Sequence, residues 1–245
     1  MTHIGQGNLD IHKCYRAMTT VGEMMTDRGY DIPSTLIKNT FEDFVAAYVT
    51  DDVPMVNNNN TNHNAKTRVV RRDRMTLPCK KRSDDTNTNN NENEKMAIVF
   101  FIPTTDLTAA NLKEYISEAQ VNHYSLLIFV TPGKLSATAA KSIEIQNKTE
   151  GASFANTIFV KIQHFEEDDL AVNITRHNFV PKHILLTPEQ VKEVLTALAL
   201  EVRQLPRLFS TDPVARYLGA ARGDVLRIER PSESAGMYVS YRQVV

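Results

Sequence analysis

The chain has 245 residues, enough for one large or two small domains, and its 42% hydrophobic and 23% charged residues are ordinary globular composition. A formal net charge of -1 gives no whole-protein field for non-specific nucleic-acid binding, so any such contact must come from a local patch. Cys14 and Cys79 form no CxxC pair, which argues against a disulfide framework or structural zinc and fits a reducing compartment.

In chain order, Ile11, Tyr15, Met18 and Met25 recur at helical spacing, and Gly29 in "DRGY" supplies a left-handed stop. A second helix begins at "TFEDF", with Thr40 as cap, Asp43 completing a capping-box-like pair, and Phe41, Phe44, Val45 and Tyr48 on one apolar face. Residues 57–94 break the pattern: eleven of 38 are Asn, in two runs at about 57–64 and 84–94. Such tracts lack the apolar surface to order themselves and are expected to be disordered insertions. Between them "KTRVVRRDRMTLPCKKR" sets eight cations against Asp73. It reads as a short strand from Arg68 to Leu77, a nuclear localisation signal, a DNA-facing patch, or a solvated basic loop.

The period then shortens. "MAIVFFI" (96–102), "YSLLIFV" (124–130) and "TIFVKI" (157–162) read as buried strands. The first of these is far too short to cross a bilayer, and the N-terminus has no apolar signal core, so an intracellular protein without membrane contact is expected. Leu112, Tyr115, Ile116 and Ala119 mark one intervening helix, and residues 136–146 another. Strands alternating with helices imply parallel pairing.

The last third differs. "LTPEQVKEVLTAL" has Thr187 as cap, Pro188 at the first helical position, Gln190 closing a capping box, and Val191, Val194, Leu195 and Leu198 as one stripe. "TDPVARYLG" repeats the device with Asp212, Pro213 and Gly219. "DVLRIER" and "MYVSYRQVV" alternate as strands around a six-residue connection, Pro231 to Gly236, which makes a hairpin. One hairpin face is expected to cover the helix from Pro188 to Leu200, leaving the other for a partner.

The chemical readings are few. Ser232 and Ser234 sit in that connection without GxSxG or any later histidine, so they shape a turn and are not nucleophiles. "FVTPGKLSATAAK" leaves a central strand and enters a helix N-terminus with Lys134, Ser136, Thr138 and Lys141 nearby. It is either a phosphate contact or an ordinary strand-to-helix loop, and its spacing is not that of a nucleotide-hydrolysing loop. His177 and His183 flank "NFVPK" with no carboxylate or thiol cluster, so neither a metal nor any cofactor is expected. After Lys192 every basic residue is arginine: Arg203, Arg207, Arg216, Arg222, Arg227, Arg230 and Arg242. The planar five-donor fork of arginine suits a partly buried docking face.

Residues 170–245, with "AVNITRHNFVPKHILLTPEQVKEVL" and "LPRLFSTDPVARYLGAARGDVLRIERPSESAGMYVSYR", closely resemble the assembly domain of the small subunit family common to nuclear RNA polymerases I, II and III. A small archaeal RNA polymerase subunit is similar to this part alone. "YRAMTTVGEMMTDRGY", "TFEDFVAAY" and "IVFFIP" resemble the eukaryote-specific jaw domain more loosely. The resemblance implies a non-catalytic subunit in the nucleus, built from an α/β jaw domain (truncated restriction-endonuclease-like fold, residues 1–155) and a compact α+β assembly domain (156–245). It implies docking on the largest polymerase subunit, other polymerase subunits as further partners, and a jaw beside downstream DNA. His177, Pro181, His183, Arg216, Arg222, Arg227, Arg230, Tyr238, Tyr241 and Arg242 are the docking candidates, and Lys134, Ser136, Thr138 and Lys141 the DNA-contact candidates. The family's Thr-Pro-Ser-Ala-x-Lys-like loop stands here as "LSATAAK", without the proline, and the Asn-rich insertions are untypical. The rival reading is a nuclease-fold DNA-binding protein acting outside polymerase. An active nuclease is disfavoured, because no lysine has an acid two residues before it, as metal-dependent enzymes of that fold usually require.

Overall fold

The structure is a computed structural model and describes all residues except 1–2, 36–39, 53–66, 83–95, 104–106, 149–158 and 233–235. Both Asn tracts and Ser234 lie outside the described residues. The chain divides into two compact units, Met1–Val172 and Asn173–Val245.

The first unit opens with α1 (His3–Asp27), β1 (Tyr30–Asp31), α2 (Phe41–Tyr48), β2 (Val49–Asp52) and β3 (Thr67–Val70). It continues with β4 (Thr76–Lys81), β5 (Met96–Phe101), α3 (Ala109–Val121), β6 (Tyr124–Thr131), α4 (Ala137–Lys148) and β7 (Lys161–Glu166). Five strands form one sheet in the order β1-β4-β5-β6-β7, while β2 and β3 pair separately. β5, β6 and β7 run parallel, as the alternation of strands and helices predicts, and β4 and β1 extend the sheet antiparallel.

The three-strand core is covered on both faces. Ile98, Phe100, Ile102, Leu127, Phe129 and Ile162 pack with Leu112, Ile116 and Ala119 of α3 and Ala139 and Ile143 of α4. The alternate residues Ala97, Val99, Ile128 and Val130 are buried as deeply on the opposite face. This double burial is why these strands read as continuous apolar runs. α1 contributes Ile11, Cys14, Met18, Val21, Met24 and Met25 to the buried set. Its Lys13 reaches Asp168 just beyond β7, and Arg28 bonds Gln163 within it, so α1 runs back along that strand. Gly29 takes φ +82°, the left-handed stop expected there. Thr40 accepts from the Asp43 backbone N–H at 3.2 Å and donates to its carboxylate at 2.7 Å.

The stretch from Arg68 to Leu77 is not one strand. β3 ends at Val70, Arg72–Arg74 form a 3-10 turn, and β4 starts at Thr76 in a different sheet. The third parallel strand lies at Lys161–Glu166, further on than "TIFVKI", whose first residues fall outside the described set. A boundary at 155/156 would cut β7 from the sheet it completes, so the division falls at 172/173 instead.

The second unit contains β8 (Lys182–Leu185), α5 (Pro188–Leu198), β9 (Arg207–Leu208), α6 (Pro213–Leu218), β10 (Val225–Ser232) and β11 (Gly236–Val244). Its sheet order is β8-β10-β11-β9. The capping box at Thr187 and Gln190, the Asp212 cap and the left-handed Gly219 are all formed. The hairpin is tighter than its sequence suggests: Pro231 pairs with Met237 and Ser232 with Gly236, leaving residues 233–235 as the connection. The core also differs from expectation. Leu226 and Val244 pack on Ala215 of α6, whereas α5 has no buried residue. A six-residue helix, held at both ends, covers the sheet face that the longer helix was expected to fill.

Candidate docking surface and nucleic-acid interface

Antiparallel register decides which side chains share a face of the second sheet. Leu226 stands opposite Arg242 and Leu185, Ile228 opposite Ser240 and His183, and Arg230 opposite Tyr238. The other face carries Arg227 opposite Tyr241 and Ile184, and Glu229 opposite Val239 and Lys182. Arg227 and Arg242 therefore occupy opposite faces. Arg227 donates to Glu229 at 2.9 Å, with Lys182 4.0 Å from the same carboxylate, while its Nε is buried with no partner among the described residues. Arg242 donates to the Arg207 carbonyl at 3.2 Å.

The remaining docking candidates scatter around this sheet. His183 closes a local turn, its Nδ1 2.7 Å from the Pro181 carbonyl. His177 accepts from the Phe179 N–H at 3.3 Å, its ring 5.5 Å from that of Phe179. Arg216 lies on α6, and Arg222 is exposed before β10. Of the apolar part of this surface the sequence marked Tyr238, which is more than half exposed on β11 beside Met237. It missed Phe179, 92% exposed, and Phe209, 74% exposed. Isolated aromatic residues in a loop carry no periodicity, so no sequence pattern marks those two.

In the first unit, Lys134, Ser136 and Thr138 come together where β6 turns into α4, and Lys141 follows on the helix. Lys134, Thr138 and Lys141 are exposed. The hydroxyls serve the helix itself: Ser136 Oγ accepts from the Ala139 N–H at 3.4 Å and lies 3.1 Å from Thr138 Oγ1. The lysines are thus the groups left for a phosphate.

The basic stretch hides a buried ion pair. Arg72 donates to both carboxylate oxygens of Glu167, at 2.6 and 3.1 Å, and to Asp10 at 2.7 Å. Its side chain is 8% exposed and that of Glu167 fully buried, so a solvated loop describes only its neighbours. Burial works against the charge on Arg72, but the bonds to Glu167 and Asp10 outweigh it and hold the guanidinium more firmly protonated than usual. Beside it, burial and then the Glu167 charge push the Cys14 thiol far up, and burial pushes Cys79 up to about 12. Both cysteines are free and buried. Among the described residues no cluster of His, Cys, Asp or Glu is placed to hold a metal ion.

Two mixed α/β units in one chain, the second presenting apolar side chains and arginines around a small sheet, define a two-domain protein of the α+β kind. The family model described as RNA polymerase Rpb5, N-terminal domain, matches residues 8–119, and that described as RNA polymerase Rpb5, C-terminal domain, matches residues 172–244. The chain belongs to this RNA polymerase Rpb5 family. It is 31% identical over 236 residues to the DNA-directed RNA polymerases I, II, and III subunit rpabc1 of Dictyostelium discoideum, covering 96% of this chain and 99% of that protein. The subunits RPABC1 of Caenorhabditis briggsae and Caenorhabditis elegans are each 31% identical over 238 residues, covering 97% of this chain and 98% of theirs.

Proposed function

We propose that this chain is a non-catalytic subunit of nuclear DNA-directed RNA polymerase, in which the second unit docks on the largest subunit and the first is a jaw beside downstream DNA. The observation that carries this reading is full-length similarity to subunits named for polymerases I, II and III, through both family domains. The geometry supports it. The second unit keeps α5 without a buried residue and leaves Phe179 and Phe209 in solvent, the surplus apolar surface expected of a partner-bound module. The nuclease-like ancestry of the jaw belongs to the same proposal.

Affinity purification of the tagged chain from nuclear extract tests it, with the largest polymerase subunit expected in the eluate. The double change Arg227→Glu with Arg242→Glu should lower that recovery at least about tenfold, since like charge at an interface costs several kcal/mol. The two single changes then identify the docking face, because the residues lie on opposite sides of the sheet. Recovery of the chain without polymerase subunits would favour the DNA-binding protein acting outside polymerase. Lys134→Glu with Lys141→Glu should weaken polymerase–DNA binding at low salt, and less so at high salt, while assembly is unchanged.

A further inference from the structure

The Thr131–Ser136 loop presents Lys134, and it is tied down from two other elements. Thr131 has no exposed surface and one hydroxyl proton. Its Oγ1 lies 2.6 Å from the Gly133 carbonyl, which can only accept, so that proton points into the loop. The 2.7 Å contact between the same oxygen and His164 Nε2 is then made by the imidazole N–H, which fixes the ring's hydrogen on Nε2. The hydroxyl thus relays a bond from β7 into the turn.

A second tie comes from α1. Lys13 Nζ donates to the Pro132 carbonyl at 3.1 Å and is held by Asp168 at 2.8 Å, with its side chain 25% exposed. Backbone bonds complete the frame at the base: Glu167 N–H to Thr131 O at 2.8 Å and Ile102 N–H to Val130 O at 2.8 Å. Pro132 and Gly133 are thereby bonded through their carbonyls to groups 119 and two residues away in sequence, immediately before Lys134.

We propose that Lys13, Thr131 and His164 are positioning residues that hold the Thr131–Ser136 loop and so fix where Lys134 stands. A lysine on a loose loop spreads its charge over a wide volume, whereas one on a braced turn meets a phosphate at a set place and loses less freedom on binding. The inference rests on the reading of this loop as a DNA contact for its purpose, but not for its geometry.

The test uses the full chain and, for DNA, polymerase assembled with it. His164→Leu and Thr131→Val each remove the side-chain relay, while His164→Gln keeps an N–H donor near the Nε2 position; Lys13→Met removes the second tie. Amide exchange is read at Glu167 and Ala139, whose N–H groups bond the Thr131 carbonyl and Ser136 Oγ at the two ends of the loop. It should rise at least about tenfold in His164→Leu, Thr131→Val and Lys13→Met, with core strands unchanged, and return toward wild type in His164→Gln. Unchanged exchange in all three variants overturns the proposal, as does a loosening that His164→Gln shares with His164→Leu. In DNA binding at low salt, His164→Leu should imitate Lys134→Glu. A weakening by Lys134→Glu that His164→Leu lacks also overturns it. Loosened exchange with DNA binding intact in both variants removes the DNA reading and leaves the bracing in place.

Discussion

Arg72 carries a charge that burial penalises, and only Glu167 and Asp10 make its position tolerable. Removing one member of such a pair strands the other. Arg72→Met should therefore cost roughly 3–5 kcal/mol by urea unfolding, and adding Glu167→Gln should recover most of it. If the double change costs the sum of the two single changes, the pair contributes no coupling. Nothing in the sequence announces this contact. Arg72 lies among seven other cations, and its partner is 95 residues away. The thiols give a pH signature. Cys14 and Cys79 have folded pKa values above their unfolded ones, so on raising the pH the unfolded chain loses thiol protons first. Stability should fall from about pH 8.5 upward, by up to about 1.4 kcal/mol per pH unit for each thiol, the window for Cys79 closing at about 12. Denaturant titrations between pH 8 and 10 check this, with Cys79→Ala expected to flatten the slope. Above that range Tyr30, Tyr48, Tyr115 and Tyr124, also raised by burial, act in the same direction.

Elements with local chemistry of their own were legible in advance. Thr187 with Gln190, Asp212 with Pro213, and the left-handed Gly219 each specify a helix end within a few residues, and each is formed as read. The β5 and β6 runs and their parallel pairing were equally plain, because both sheet faces are covered and the central positions, Met96–Phe101 and Leu126–Val130, are all apolar. The destination of an apolar stripe is another matter. Val191, Val194 and Leu195 are half-buried and Leu198 exposed, since the amphipathic pattern states that a face exists, not what meets it. One cap departs from the usual chemistry: α5 ends on Ala199 at φ +51°. Ala199→Gly relieves that strain and should stabilise the chain by about 1 kcal/mol, seen as a higher Tm. In the hairpin Gly236 has φ +71°, and a Cβ there would meet nothing within 4 Å, so the cost of a side chain is conformational and not steric. Gly236→Val should cost about 1–3 kcal/mol, more than Ser232→Ala. Equal costs would remove the turn as the reason for glycine.

For the whole molecule the division at 172/173 sets which pieces can stand alone. A fragment ending at residue 155 lacks β7 and Glu167, which leaves β6 as a raw sheet edge and Arg72 as a buried charge without its main partner. It should aggregate, whereas fragments 1–172 and 173–245 should each elute as discrete species on gel filtration. Monodisperse behaviour of the shorter fragment would show that β7 is dispensable. Residues 156–172 contain one short strand and an acidic turn, with no linker composition in the sequence to mark where one unit stops. The bonds from α1 also have a consequence in time. Lys13 awaits Pro132, 119 residues downstream, and Arg72 awaits Glu167. At a synthesis rate of about 5–20 residues per second, the first helix leaves the ribosome roughly 6–24 s before its loop partner exists. For that interval only β1, α2 and β3 are available to pack on α1, so the part of its apolar face that the later strands cover stays exposed. The nascent chain is expected to bind holding chaperones until the last strand of the first unit has emerged.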